Sequence, residues 1–265
     1  MPPKEGQGTT ALYRKQGGIA TIMFNRPGRL NALTKEMVIE TTNLLERAEE
    51  EKTVRAVILT GAGSSFCAGE DLREDLIEYT PLEFREKILA YQALTRTIHN
   101  MKKVVLAEVN GYALGGGAEI AISCDIVYAS EGAKFGFPEV KVAQLITNAG
   151  FHRLPRLVGE KKAKEIALTG ETMSAAEAER IGLINRVFPQ RELHGAVIET
   201  ARRIMANAPL SVMLTKSLID RGLDTDFETA MSLETESITA IYSSEDRKEG
   251  AAAFSGKRGP TYRGR

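Results

Sequence analysis

The sequence has only two cysteines, Cys67 and Cys124. Two cannot make a disulfide framework, and their separation matches no metal-ligand spacing, so a reducing compartment fits. Net charge is also missing, because 35 Lys and Arg residues offset 35 Asp and Glu. No global field attracts nucleic acid or an anionic membrane surface, and neither is expected as a partner. No uninterrupted apolar run approaches the length of a membrane-spanning helix. The first residues, "MPPKEGQGTTALYRKQGG", lack the apolar stretch of a secretory leader. A cytoplasmic location is expected, with an organelle matrix still open because a removed targeting segment leaves no trace. The P-loop, GxSxG, GxGxxG and HExxH patterns are all absent, and "GAGSSF" fails the P-loop at its sixth position.

What remains is an ordinary globular composition, 265 residues with 43% hydrophobic, enough for one sizeable core. "IATIMFNRP" reads as a strand, followed by a helix with Thr34 as its N-cap and Met37, Thr41, Leu44 and Ala48 on one face. "VRAVILTG", "VVLAEVNG" and "DIVYAS" read as strands, the first two as apolar as strands covered on both faces. "GAGSSFCAGEDL" reads as a loop. Thr80-Pro81-Leu82-Glu83 and Ser174-Ala175-Ala176-Glu177 are capping boxes. The first opens a helix reaching about Met101, and the helix of the second stops at Gly182. From about Glu192 the pattern is helical nearly to the end, with a break at Pro209. Strands alternating with helices argue for an α/β core.

The stretch "GYALGGGAEIAIS" carries the chemistry. Glycines between a strand and a helix leave backbone N–H groups that a phosphate, carboxylate or developing oxyanion can approach. The alternative is a tight turn where helix and sheet pack too closely for side chains. Glu119 sits in the first turn of that helix. The helix dipole favours its anion and apolar neighbours disfavour it, which suits proton transfer, a capping role or a buried salt bridge. Glu139, in "GAKFGFPEVKV", is a second acid among apolar neighbours, and the spacing alone does not bring the two together. Cys67 reads as a small buried residue and His152 as a surface or packing residue. The tail "SGKRGPTYRGR" has four cations, Lys257, Arg258, Arg263 and Arg265, and no acid; it is either a frayed terminus or a local phosphate partner.

Seven ordered blocks, "FNRPGRLNAL", "FCAGEDL", "NGYALGGGAEIAISCDIVYAS", "FGFPEVKV", "RLPRLVG", "ALTGETMSAAEAERIGLINRVFP" and "EDRKEGAAAF", together resemble the enoyl-CoA hydratase/isomerase (crotonase) superfamily over nearly the whole chain. The resemblance implies an α/β fold with a ββα spiral core over residues 1–191. It implies a C-terminal helical region, 192–265, that forms homotrimers or dimers of trimers. It places an oxyanion hole at the backbone N–H groups of Glu70 and Gly116, and catalytic carboxyls at Glu119 (water activation) and Glu139 (the proton at Cα). Arg29, Leu30, Ala68, Asp71, Leu72 and Arg73 match segments along the coenzyme A path, and Lys257 gains weight as a phosphate partner. The implied activity is enoyl-CoA hydratase, with a coenzyme A thioester as substrate and no cofactor. The alternatives are a double-bond isomerase, lyase or hydrolase on the same scaffold, or a non-catalytic binding protein. One block departs from the pattern: the Pro- and Gly-rich loop usual after the second glutamate reads "VAQLITNAGFHRL" here. Gln144, Thr147 and Asn148 within it leave the shape of the acyl pocket open.

Overall fold

A computed structural model describes residues 10–73 and 78–265. The first nine residues, half of the stretch read for a leader, lie outside the described residues. The chain opens with an antiparallel hairpin, β1 (Ala11–Gln16) and β2 (Ile19–Phe24). Helix α1 (Lys35–Glu50) follows. Its N-cap is Thr34, whose hydroxyl accepts from Met37 N, the start signal that the sequence displays.

From here the chain repeats one unit. A strand of a large sheet is followed by a three-residue strand of a second sheet, then by a helix. The first unit is β3 (Ala56–Gly61), β4 (Ser65–Cys67) and α2 (Pro81–Asn100). The second is β5 (Val104–Val109), β6 (Tyr112–Leu114) and α3 (Gly116–Ser123). The third begins with β7 (Ile126–Ser130) and β8 (Lys134–Gly136) and continues into α4 (Gly150–Val158) and α5 (Glu160–Thr169). Then come β9 (Thr172–Ser174), α6 (Ala175–Arg180) and β10 (Arg186–Phe188). The large sheet runs β1-β2-β3-β5-β7-β10, parallel except for the opening hairpin, and the small one β4-β6-β8-β9. This is the expected ββα spiral.

The main core lies between the two sheets and their helices, where Phe24, Phe66, Phe135 and Phe137 are fully buried. The outer face of the large sheet is covered by α7 (Gln190–Met205). Its Leu193, Val197 and Ala201 pack on Ile19, Ile58 and Leu106. Both faces of β3 are therefore dry, which is why "AVILTG" is apolar but for Thr60, whose hydroxyl donates to Glu108 O. Three helices complete the chain: α8 (Pro209–Gly222), α9 (Phe227–Tyr242) and α10 (Glu245–Ser255).

Two readings need correction. The segment 61–72 is not all loop, because it holds β4. The box at Ser174 is half made: Ser174 Oγ accepts from Glu177 N, but the Glu177 carboxylate is taken by Arg180 at 2.7 Å instead of returning to the N-cap.

After β2 the chain turns sharply through Leu30 and Asn31, both at positive φ (50° and 56°). Asn31 holds that turn. Its fully buried side chain accepts from Arg26 N at 2.9 Å and donates to the carbonyls of Ala62 and Ser65 at 2.9 and 2.7 Å. Asn31→Ala would strand one amide and two carbonyls, so a loss of about 2–4 kcal/mol in unfolding free energy is expected. Denaturant melts check this, and a change below about 1 kcal/mol would contradict the geometry.

Candidate active site

Strand pairing builds the site. β6 and β8 are parallel, with Leu114 opposite Gly136. The residues just past them, Gly115–Glu119 on one chain segment and Pro138–Glu139 on the other, therefore emerge side by side. β4 pairs with β6 on its other edge, Cys67 opposite Ala113, which brings Gly69 and Glu70 next to Gly115. The approach is close: a Cβ on Gly69 would lie 2.8 Å from the Leu114 carbonyl and 3.6 Å from Gly115 Cα. Gly69 has φ 93° and Gly115 has φ 51°, conformations that suit glycine.

This junction lines a cavity of about 160 Å³ that includes Glu70, Gly116, Glu119, Glu139 and Asn148. Leu33, Leu72, Ile88, Tyr91, Val142 and Leu145 make its apolar wall. The two expected backbone donors lie at a bridge and at a helix start. Glu70 forms a parallel bridge with Leu33 in which Leu33 N donates to Gly69 O and Asp71 N donates to Leu33 O. In that pattern the N–H of Glu70 itself points to the edge away from Leu33. Gly116 is the first residue of α3, so its N–H has no partner within the helix.

Glu119 is almost fully buried, 2% exposed. Its carboxyl is pushed up to about 7, first by burial and then by the charge of Glu139; backbone N–H groups of Asn148, Gly150 and Thr147 oppose the rise. Of the competing influences read from the sequence, burial wins over the helix start. Burial also raises Glu139. Both of its carboxyl oxygens are buried without a hydrogen-bond partner among the described residues, and Oε1 lies 3.3 Å from where a Gly115 Cβ would be. Two carboxyls held nearer neutrality than usual, in one cavity with the backbones of Glu70 and Gly116, can move protons next to a carbonyl whose oxygen is being polarised.

The other expected residues divide. Ala68, Glu70 and Leu72 line the cavity. Arg29 closes the 3-10 turn Pro27–Arg29 and Leu30 follows it; neither lines the cavity, although Leu30 O accepts from Ala68 N. Asp71 is paired with Arg26 at 2.9 Å, and Arg73 N donates to Asp71 Oδ1. Lys257, just beyond α10, is not among the cavity residues of the single chain. The tail is tied to α10 rather than frayed. Arg258 grips Glu249 at 2.6 and 2.8 Å, Arg265 reaches Glu245, and the N–H groups of Arg263 and Gly264 donate to Asp246. His152 is exposed and bonded to Asp224. Cys67 is fully buried, and burial pushes its thiol up to about 12, so it is no nucleophile at neutral pH.

Sequence reasoning missed two features. One is the grip on Glu119 by residues 148–150. The other is a buried cation, Lys87, 1% exposed, with Nζ 2.5 Å from Glu70 Oε1. The ammonium also lies 5.4, 6.0 and 5.9 Å from the rings of Tyr79, Phe84 and Tyr91. A lysine at a core position of α2, at 87 beside 91, 94 and 98, was the available signal, since an unpaired lysine is almost never fully buried.

The spiral and the paired carboxyls beside an N–H pair define a protein that acts next to a carbonyl, of the kind that works on acyl thioesters. The chain belongs to the enoyl-CoA hydratase/isomerase family, whose model matches residues 14–265. It is 42% identical over 248 residues to the short-chain-enoyl-CoA hydratase of Clostridium acetobutylicum, covering 93% of this chain and 95% of that one. It is 38% identical to the crotonyl-CoA hydratase of Syntrophomonas wolfei, with the same coverage. Among solved structures, enoyl-CoA hydratase from Bacillus anthracis superposes with a TM-score of 0.93 at 35% identity, over 97% of this chain and all of that one.

Proposed function

We propose that this protein is an enoyl-CoA hydratase, adding water reversibly across the double bond of a short trans-2-enoyl thioester. The observation that supports this most is that buried Glu119 and half-buried Glu139, whose two carboxyl oxygens are themselves buried, line one cavity with Gly116. In this reading the thioester oxygen accepts from Glu70 N–H and Gly116 N–H, which draws electron density away from Cβ. Glu119, ionised, takes one proton from water as the water oxygen bonds to Cβ. Glu139, protonated, gives its proton to Cα. Atoms and charge balance without an electron carrier, because hydration is redox-neutral overall; the reaction calls for no cofactor beyond the thioester itself. A cavity near 160 Å³ is about the size that holds a benzene ring, which favours a short acyl chain, as do the names of the two relatives. The coenzyme A moiety is read as leaving the cavity past Ala68 and Leu72.

The test is incubation with crotonyl-CoA, followed by mass spectrometry for the water adduct. A double-bond shift without an adduct would transfer the assignment to isomerase. Failure to turn over any enoyl or acyl thioester would sink the catalytic reading.

The same proposal includes self-association. Helices α8 and α9 bury no residue in the single chain; they and Leu223, which caps α8, expose Ile219, Leu223, Phe227, Met231, Ile238 and Tyr242. Steps of four along a helix place such residues on one stripe, and a stripe this apolar asks for a cover. A second and third copy of the chain supply it, as the family resemblance implies, in a trimer or a dimer of trimers. Lys257 would meet the coenzyme phosphates only across such an interface. Light scattering that finds a monomer at micromolar concentration would rule the assembly out. No helix among the described residues is long and apolar enough to cross a membrane, and a cytoplasmic setting suits the substrate.

A further inference from the structure

Asn148 has no part in the reaction as described, yet it is 4% exposed and lines the same cavity as both glutamates. It belongs to the segment that departs from the family's usual loop. Its backbone N–H donates to Glu119 Oε1 at 2.7 Å, and Gly150 N–H donates to the same oxygen at 3.1 Å. Its side-chain Nδ2 donates to Glu119 Oε2 at 3.2 Å. A carboxylate accepts and does not donate, so the NH₂ end of the amide must face Glu119 and the carbonyl end must face away. That carbonyl oxygen, Oδ1, is buried with no hydrogen-bond partner among the described residues.

An orphaned buried acceptor is costly and calls for an explanation. The bond to Glu119 accounts for the NH₂ end of the amide, but it leaves the carbonyl end without a partner among the described residues. The donor must arrive with the reaction. A simple enoyl chain carries no N–H or O–H, but the attacking water carries two O–H groups. Glu119 accepts one. Glu139 must itself be protonated to serve Cα, so it is a poor acceptor for the second.

Building on the hydratase reading, we propose that Asn148 is a further catalytic residue: Nδ2 holds the base Glu119, and Oδ1 accepts the second hydrogen of the attacking water. The bond that breaks is the O–H shared with Glu119. The other O–H stays intact, bonded to Oδ1, and becomes the hydroxyl of the product. Asn148 exchanges no proton. In the dehydration direction the same contact orients the departing hydroxyl, with Glu119 returning the proton and Glu139 taking one from Cα.

The role predicts a split between two reactions of one protein. Hydration needs the water and therefore Asn148. Exchange of the Cα proton of a saturated thioester with solvent deuterium needs only Glu139 and the oxyanion hole. Asn148→Ala should lower kcat for hydration of crotonyl-CoA by roughly 10–100-fold, the value of a hydrogen bond in a charged network. KM and the exchange rate of butyryl-CoA should stay within about threefold. Should the alanine variant fail to fold, Asn148→Ser, too short to reach both partners, should give the same split. Equal falls in hydration and exchange would overturn the proposal, since they mark a merely structural residue. So would unchanged hydration in either variant. A wild-type protein that exchanges the Cα proton but hydrates nothing would instead bring down the hydratase reading.

Discussion

Glu119→Gln is expected to lower hydration of crotonyl-CoA by about 10²–10⁴-fold, the usual contribution of a general base. Gln matches the side chain in volume and still offers Oε1 to the N–H groups of Asn148 and Gly150, so the fold should survive. It cannot take a proton from water. Glu139→Gln should cost as much hydration and, in addition, abolish Cα proton exchange, which Glu119→Gln should largely retain. Identical behaviour of the two variants in both assays would refute the division of labour. The pH profile adds an independent check. The base works only when ionised, and Glu119 is raised to about 7, so kcat/KM should climb with pH through neutrality rather than through the ordinary carboxylate range near 4–5. Burial raises Glu139 as well, so it stays protonated, and able to serve Cα, to higher pH than an ordinary carboxylate. In Glu119→Gln the rising limb should be gone from the residual activity.

Much of the frame is visible in the sequence because its signals are local. Thr34 and the Thr80–Glu83 box cap α1 and α2 as read, and the apolar runs around Ile58 and Leu106 are two-face-buried strands. The second sheet is not visible. β4, β6, β8 and β9 have three residues each, too few for alternation to register, and their stability comes from pairing with each other. The site inherits that limit. Glu119 and Glu139 stand out as acids among apolar neighbours, but what joins them is the register Leu114–Gly136, a non-local fact. The family resemblance supplied it; periodicity could not. Asn148 was legible only as a polar residue in an atypical loop, because its contact with Glu119 depends on how residues 146–150 turn. Ala149 takes φ 65° there, which alanine's intrinsic preference does not foretell.

The glycine triplet separates chemistry from construction, and two substitutions should show it. Gly116→Pro removes the backbone N–H of the second oxyanion donor. Gly116 is the first residue of α3 with no positive φ, a position where proline fits a helix, and Gly115 before it has no Cβ to clash with the ring. Loss of one such donor is worth about 10²–10³ in kcat, or roughly 3–4 kcal/mol of transition-state stabilisation. Gly116→Ala is the control: its Cβ would lie 3.2 Å from the end of Leu33, a side chain that can give, and the N–H is kept. It should retain most of the rate. One residue later the outcome changes in kind. A Cβ on Gly117 would stand 2.1 Å from the Cys67 carbonyl oxygen and 2.8 Å from its carbon, so β4 itself would have to move. Gly117→Ala should therefore lose more than about 4 kcal/mol of stability or fail to accumulate as folded protein. A proline at 116 that turns over within tenfold of wild type would remove Gly116 from the oxyanion hole. A Gly117→Ala protein that melts like wild type would mean that α3 does not pack on β4 as closely as the structure has it. If both hold, Gly116 has to keep its N–H for the substrate, and Gly117 has to be bare for the neighbouring strand.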